Sequence, residues 1–267
     1  DPQGDGGIVL DDEGARKAQG DARIPIVVDD PAGDVEAHGA YYRPMHASTD
    51  PLVIDVVSDV VCPWCFIGKR HLEAALAGLP AAAGAKVRWH PFELNPDLPA
   101  EGVDRKGYLE AKFGGPARAA EIYARVHEAG VRAGLDFDFD AIVRQPNTRD
   151  AHRLIAWAQS RGDAGPLVER LFRAYFQEGR YVGDRDTLAA LAAEAGFDAE
   201  AARVWLESGL GADEIADAEV RARALGISGV PFFIFDGRVG LSGAQPPESM
   251  REAIAQARAT ATGSAGG

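Results

Sequence analysis

The chain has two cysteines in 267 residues, and they stand three positions apart in Cys62-Pro63-Trp64-Cys65. A sulfur attacks a disulfide only as thiolate, and an ordinary thiol, with a pKa of about 8.5, is mostly protonated at neutral pH. Such chemistry therefore needs a place that favours the anion. The start of a helix supplies one through unpaired backbone N–H groups and the positive end of the helix dipole. Pro63 has no N–H to lose and a φ already set for a helix, so it suits the first helical position. Cys62 then lies just ahead of the helix, with Cys65 about one turn on, within reach of a mixed disulfide on Cys62. This places Cys62 as attacking thiolate and Cys65, expected to be the less exposed of the two, as resolving thiol. Trp64 between them offers substrate an apolar face and no positive charge.

Other uses of this spacing fit less well. A zinc site wants about four ligands, so His71 and His90 would have to join two sulfurs, and no metal is expected. Covalent haem attachment needs histidine directly after the second cysteine, where Phe66 stands. Two cysteines cannot staple a small secreted fold. His71, nine residues after Cys62, is expected on the helix surface and out of reach of the thiolate. Asp59 is expected to be a loop-solvating carboxylate, and His152 and Arg153 to form a polar helix face.

The elements that must hold the pair can be read around it. Residues 52–61 are β-branched and nearly continuously apolar, as a strand buried on both faces requires. A helix over 63–78 follows, with Phe66, Ile67, Leu72, Ala75 and Leu76 on its apolar face, ended by Gly78 and Pro80. Residues 86–94 alternate like a second strand, with Pro91 marking an edge or bulge. Residues 103–226 contain no strand-like run and read as six or seven helices sharing a core of Leu154, Trp157, Leu167, Leu171, Phe172, Tyr175, Phe176, Leu188, Leu191, Val204 and Trp205. Strand character returns at 231–235, turns at Asp236-Gly237, and runs on to Leu241 before a last helix over about 246–259. The order βαβ, helical block, ββα fits an α/β protein of thioredoxin-like fold with an inserted all-helical domain. In that sheet Pro231 would lie beside the cysteines. A cis Val230-Pro231 bond is expected there, with the Val230 backbone placed to pair with a bound substrate strand.

The domains expected are an acidic, glycine-rich, flexible extension over 1–50, the two parts of the sheet domain over 51–102 and 227–261, the helical insertion over 103–226, and a flexible tail over 262–267. Residues 1–50 hold 11 acidic and 4 basic residues. Within them, 24–28 could add an edge strand, and Met45 could be a natural start. A net charge of -13 leaves no excess of cations to neutralise phosphates, so no nucleic-acid partner is expected. No run of about 18 apolar residues suggests a membrane span. With no leader segment to be read in the sequence, the expected compartment is the cytoplasm.

Several separate runs occur in order: Ser58-Asp-Val-Val-Cys-Pro-Trp-Cys-Phe-Ile-Gly-Lys69, Pro91-Phe-Glu-Leu-Asn-Pro-Asp97, Asn147-Thr148 with Asp150-Ala-His-Arg-Leu154, Gly229-Val-Pro-Phe-Phe-Ile-Phe235, and Ser242-Gly-Ala-Gln-Pro246. From about residue 52 to 258 the chain resembles the DsbA-family oxidoreductases of the FrnE-like branch. The resemblance implies a redox-active Cys62/Cys65 pair supported by Pro63, Trp64, Val230 and a cis Pro231. It also implies exchange with a disulfide-containing protein or a small thiol, and no resident cofactor. Some members carry a further cysteine pair near the C-terminus, which this sequence lacks. Glutathione-dependent 2-hydroxychromene-2-carboxylate isomerases and kappa-class glutathione transferases resemble the chain as well, but typically carry serine where Cys62 stands. A glutathione-linked activity, with contacts from Asn95, Val230 and Ser242, is the alternative. A redox-indifferent binding module or holdase is a third reading, and a homodimer stays open.

Overall fold

The computed structural model describes residues 23–25, 51–79 and 84–263. Most of the 1–50 extension, Met45, and most of the 262–267 tail lie outside the described residues. Strand β1 (Arg23–Pro25) is followed by β2 (Leu52–Ser58), helix α1 (Pro63–Ala77) and β3 (Ala85–Pro91). The pairing of β2 with β3 is parallel, from Leu52 opposite Ala85 to Ser58 opposite Pro91. Near the other end of the chain come β6 (Phe232–Phe235), β7 (Val239–Ser242) and α9 (Pro247–Gly263). The sheet runs β1-β7-β6-β2-β3, with β6 antiparallel to both β2 and β7. Strand β2 lies inside it, between β6 and β3, which explains why that segment is apolar at nearly every position. Asp236 and Gly237 turn the hairpin with φ of 50° and 65°, and the Asp236 carboxylate accepts from the Val53 N–H at 2.8 Å. At the far edge β1 pairs antiparallel with β7, so part of the extension enters the sheet.

Between β3 and β6 lie α2 (Arg105–Phe113), α3 (Pro116–Arg132), α4 (Arg149–Gln159), α5 (Gly165–Phe176), α6 (Arg185–Glu194), α7 (Ala199–Glu207) and α8 (Ala212–Ala224). The insertion is not wholly helical. Two-residue strands β4 (Val103–Asp104) and β5 (Arg144–Gln145) pair antiparallel, too short to leave a periodic signal. Asp104, Asp184 and Asp198 cap α2, α6 and α7 through their carboxylates. Of the core expected for this block, Val204 is instead 56% exposed and Trp205 only partly buried. Phe66, directly after Cys65, ties the two layers together. Its ring stacks on Phe172 of α5 at 5.0 Å and lies 6.1 Å from Phe137.

Candidate active site

Cys62 is the N-cap residue of α1, with φ -95° and ψ 110°, and Pro63 opens the helix. Its amide donates to the Asp59 carbonyl at 3.1 Å, and the Cys65 amide donates back to the Cys62 carbonyl at 3.0 Å. Both cysteines are free thiols. The Val230-Pro231 peptide bond is cis, and the Cys62 thiol donates to the Val230 carbonyl at 3.6 Å. Helix α1 can pass this close because of Gly68, where an added Cβ would lie 3.0 Å from Phe233 and 3.1 Å from the Pro231 ring.

The expected difference in exposure between the two sulfurs is absent: Cys62 is 0% and Cys65 2% exposed. Burial pushes the Cys65 thiol well up, the neighbouring Cys62 sulfur pushes it further, and the Ser58 hydroxyl and Asp59 backbone act in the opposite direction. Trp64 is half-buried against the core rather than free in solvent.

Three expectations for nearby polar residues are corrected by packing. Asp59 is 0% exposed; its carboxylate accepts from the Leu94 N–H at 2.8 Å and the Val61 N–H at 3.4 Å. His152 and Arg153 are buried, not on a polar face. Arg153 donates to the carbonyls of Trp205, Leu206 and Leu210, closing the end of α7. His71 is half-buried, its Nδ1 3.0 Å from the Gln245 carbonyl and 3.3 Å from that of Ala244. It anchors the segment that follows Ser242. His90 lies elsewhere, 2.6 Å from Asp55.

Asn95 is half-buried, and its side-chain oxygen accepts from the Tyr108 hydroxyl and from Lys112 Nζ at 3.2 Å. Lys112 also lies 3.0 Å from the Tyr108 hydroxyl. Burial lowers the Lys112 pKa, while Tyr123, Cys62 and Asp59 raise it, so its ammonium shares a field with the Cys62 sulfur. The Tyr108 hydroxyl is pushed up to about 12 by burial and the Asp59 charge, against the pull of Arg105. Arg105, Tyr108 and Lys112 share one face of α2 by their i, i+3, i+7 spacing. Ser242 ends β7; its carbonyl accepts from Gln245 at 3.0 Å, and the next amide, of Gly243, donates to the Pro231 carbonyl at 2.8 Å. Helix α2 thus contributes a basic and phenolic group that the cysteine motif did not announce. Its only trace in the sequence is that spacing.

A thiol at a helix start against a cis-proline loop, on a sheet of this order, defines a thioredoxin-type site. The profile of the DSBA-like thioredoxin domain matches residues 53–255, and the chain belongs to that family. It is 30% identical over 202 residues to the uncharacterized protein YwbO of Bacillus subtilis, covering 75% of this chain and 94% of that one. Among solved structures it is similar to the probable DsbA oxidoreductase SCO1869 of Streptomyces coelicolor, with 35% identity, a TM-score of 0.70, and 77% and 89% of the two chains covered. A 2-hydroxychromene-2-carboxylate isomerase shares the fold at 15% identity and a TM-score of 0.58, covering 78% of this chain and 98% of that one. No helix among the described residues is long and apolar enough to cross a membrane.

Proposed function

We propose that the protein is a thiol-disulfide oxidoreductase of the FrnE-like kind, in which Cys62 attacks and Cys65 resolves. The observation that carries this is the placement of two free thiols one turn apart, Cys62 capping α1 against the Val230 carbonyl and Cys65 held protonated behind it. In the reducing direction the Cys62 thiolate attacks a substrate disulfide and one substrate sulfur leaves as thiolate. Cys65 then attacks Cys62, the second substrate sulfur leaves, and the pair is oxidised to a disulfide while the substrate gains two electrons. The oxidising direction is the reverse.

Substrates are a disulfide-bearing protein strand docking along the Val230 backbone, or a small thiol. Glutathione fits as a co-substrate because Asn95 and Lys112 place polar and cationic groups in the field of Cys62. No resident cofactor is required, and the cytoplasm is the expected compartment. Because the isomerase shares the fold, the fold does not decide between the two chemistries; the second thiol favours exchange.

The test is a glutathione redox titration of the pair, read by alkylation and mass, alongside turnover of a model protein disulfide. Reversible two-electron oxidation, with turnover lost in Cys62→Ser, supports the reading. Activity that survives Cys62→Ser overturns it, and a glutathione requirement would then point to the isomerase.

A further inference from the structure

Resolution of a mixed disulfide requires Cys65 to lose a proton, yet burial pushes its thiol well up and it lies 2% exposed. Some nearby group has to accept that proton. A cavity of about 20 Å³ has Ser58, Trp89, His90 and His152 in its wall. Two buried polar atoms on residues of its wall have no hydrogen-bond partner, His152 Nε2 and the Trp89 indole N–H. Native proteins rarely leave such atoms unpaired without a use for them. The volume suits one water molecule, and the wall supplies the polar contacts one needs. Ser58 reaches both this cavity and the Cys65 sulfur. His152 Nε2 lies 3.5 Å from an Asp59 carboxylate oxygen. That contact is not a hydrogen bond, but it sets a buried carboxylate beside the ring.

We infer that Ser58, one water and His152 form a proton relay for Cys65, with Asp59 as counter-ion. As the Cys65 sulfur attacks Cys62 of the mixed disulfide, its proton passes to the Ser58 hydroxyl. The hydroxyl proton passes through the water to His152 Nε2. The Cys62–substrate S–S bond breaks, its electron pair leaves on the substrate sulfur, and the Cys62–Cys65 bond forms. Cys65 is oxidised and the substrate sulfur reduced, and His152 later returns the proton to the leaving thiolate or to solvent. His152 is a positioning and proton-holding residue here, acting through Ser58. The charged and titratable groups facing it are Asp59, His90 on the cavity wall, and Glu93, whose own carboxylate is held by Arg149 at 2.9 Å.

This inference rests on the oxidoreductase reading and is tested by one step of it. Reduced protein is mixed with Ellman's reagent under single-turnover conditions. The first coloured thiolate reports attack by Cys62, and the second reports displacement by Cys65. In wild-type protein the second-phase rate should show a pH inflection that the first phase lacks. In His152→Gln the ratio of second-phase to first-phase rate should fall at least about fivefold, a modest share of what general bases contribute, and the inflection should disappear. Ser58→Ala, which removes a single oxygen, should lower the ratio in the same way and decides the matter if His152→Gln does not fold. A smaller loss of the ratio, or an inflection that persists in His152→Gln, overturns the relay. Absence of the first phase in wild-type protein, or its survival in Cys62→Ser, overturns the oxidoreductase reading instead.

Discussion

Cys62 and Val230, 168 residues apart in sequence, meet at the centre of the site, sulfur to carbonyl oxygen at 3.6 Å. The contact joins the start of α1 to the loop that opens β6, so the sulfur is placed by two ends of the chain at once. Cys65→Ser should therefore trap a substrate on Cys62 as a mixed disulfide visible by mass, whereas Cys62→Ser should trap nothing. Turnover in Cys62→Ser should fall at least about a thousandfold, as the loss of a sole nucleophile can cost up to about 10⁶.

In the proposed exchange, the residues between the cysteines should set the redox poise. Trp64 contributes no cation, so the potential should lie below the about -120 mV of DsbA and nearer the about -270 mV of thioredoxin. Lys112 works the other way by sharing the field of Cys62, and Lys112→Met should make the protein more reducing still. A glutathione titration measures both, and a wild-type value above about -150 mV would contradict the first statement.

Phe66 is 0% exposed and stacks on Phe172. Phe66→Ala should cost about 3 to 5 kcal/mol, the usual range for emptying an aromatic from a core. Urea unfolding measures the loss, which Phe66→Leu should largely restore.

At Gly68 a methyl group would meet Phe233 and Pro231 at 3.0 to 3.1 Å. Overpacking of this kind costs about 1 to 3 kcal/mol, and the gain in helix propensity of about 1 kcal/mol offsets only part of it. Gly68→Ala should accordingly lower Tm by several degrees and slow exchange at Cys62 by shifting the Pro231 loop.

Asp55 is buried on β2. Burial raises its pKa, but hydrogen bonds from His90 and Arg88 outweigh that and hold it below the ordinary carboxylate value. Arg88 grips both oxygens at 2.6 and 2.7 Å. A depressed folded pKa gives stability that is complete above the unfolded value, about 3.9, and is lost as pH falls through the folded one. Asp55→Asn should thus cost about 1 to 3 kcal/mol at neutral pH, with the difference from wild type narrowing below about pH 4 in denaturant titrations.

The sheet was readable because its signals are local. The apolar run of β2 marks a central strand, Pro63 marks a helix start, and Asp236-Gly237 marks a hairpin. Of the candidate site, what was readable is what is local in the same sense, the placement of Cys62 and Cys65 at a helix start. Lys112 and Tyr108 reach Asn95 across 17 and 13 residues, and no periodicity encodes where a helix face will point. Asp59 and His152 look like surface residues by type, yet both are buried; Asp59 accepts from two backbone amides there, a pairing that composition cannot show. The exposure of Val204 is the converse case, an apolar side chain on the outer face of its helix.

The complete burial of Cys62 has a kinetic consequence. A sulfur with 0% exposure cannot be reached by a reagent in the state described here, so reaction must wait for a fluctuation that uncovers it. With enough reagent the observed rate should stop rising and settle at the rate of that opening. Peroxide in the surroundings would meet the same barrier, so the closed form shelters the thiol from irreversible oxidation between encounters.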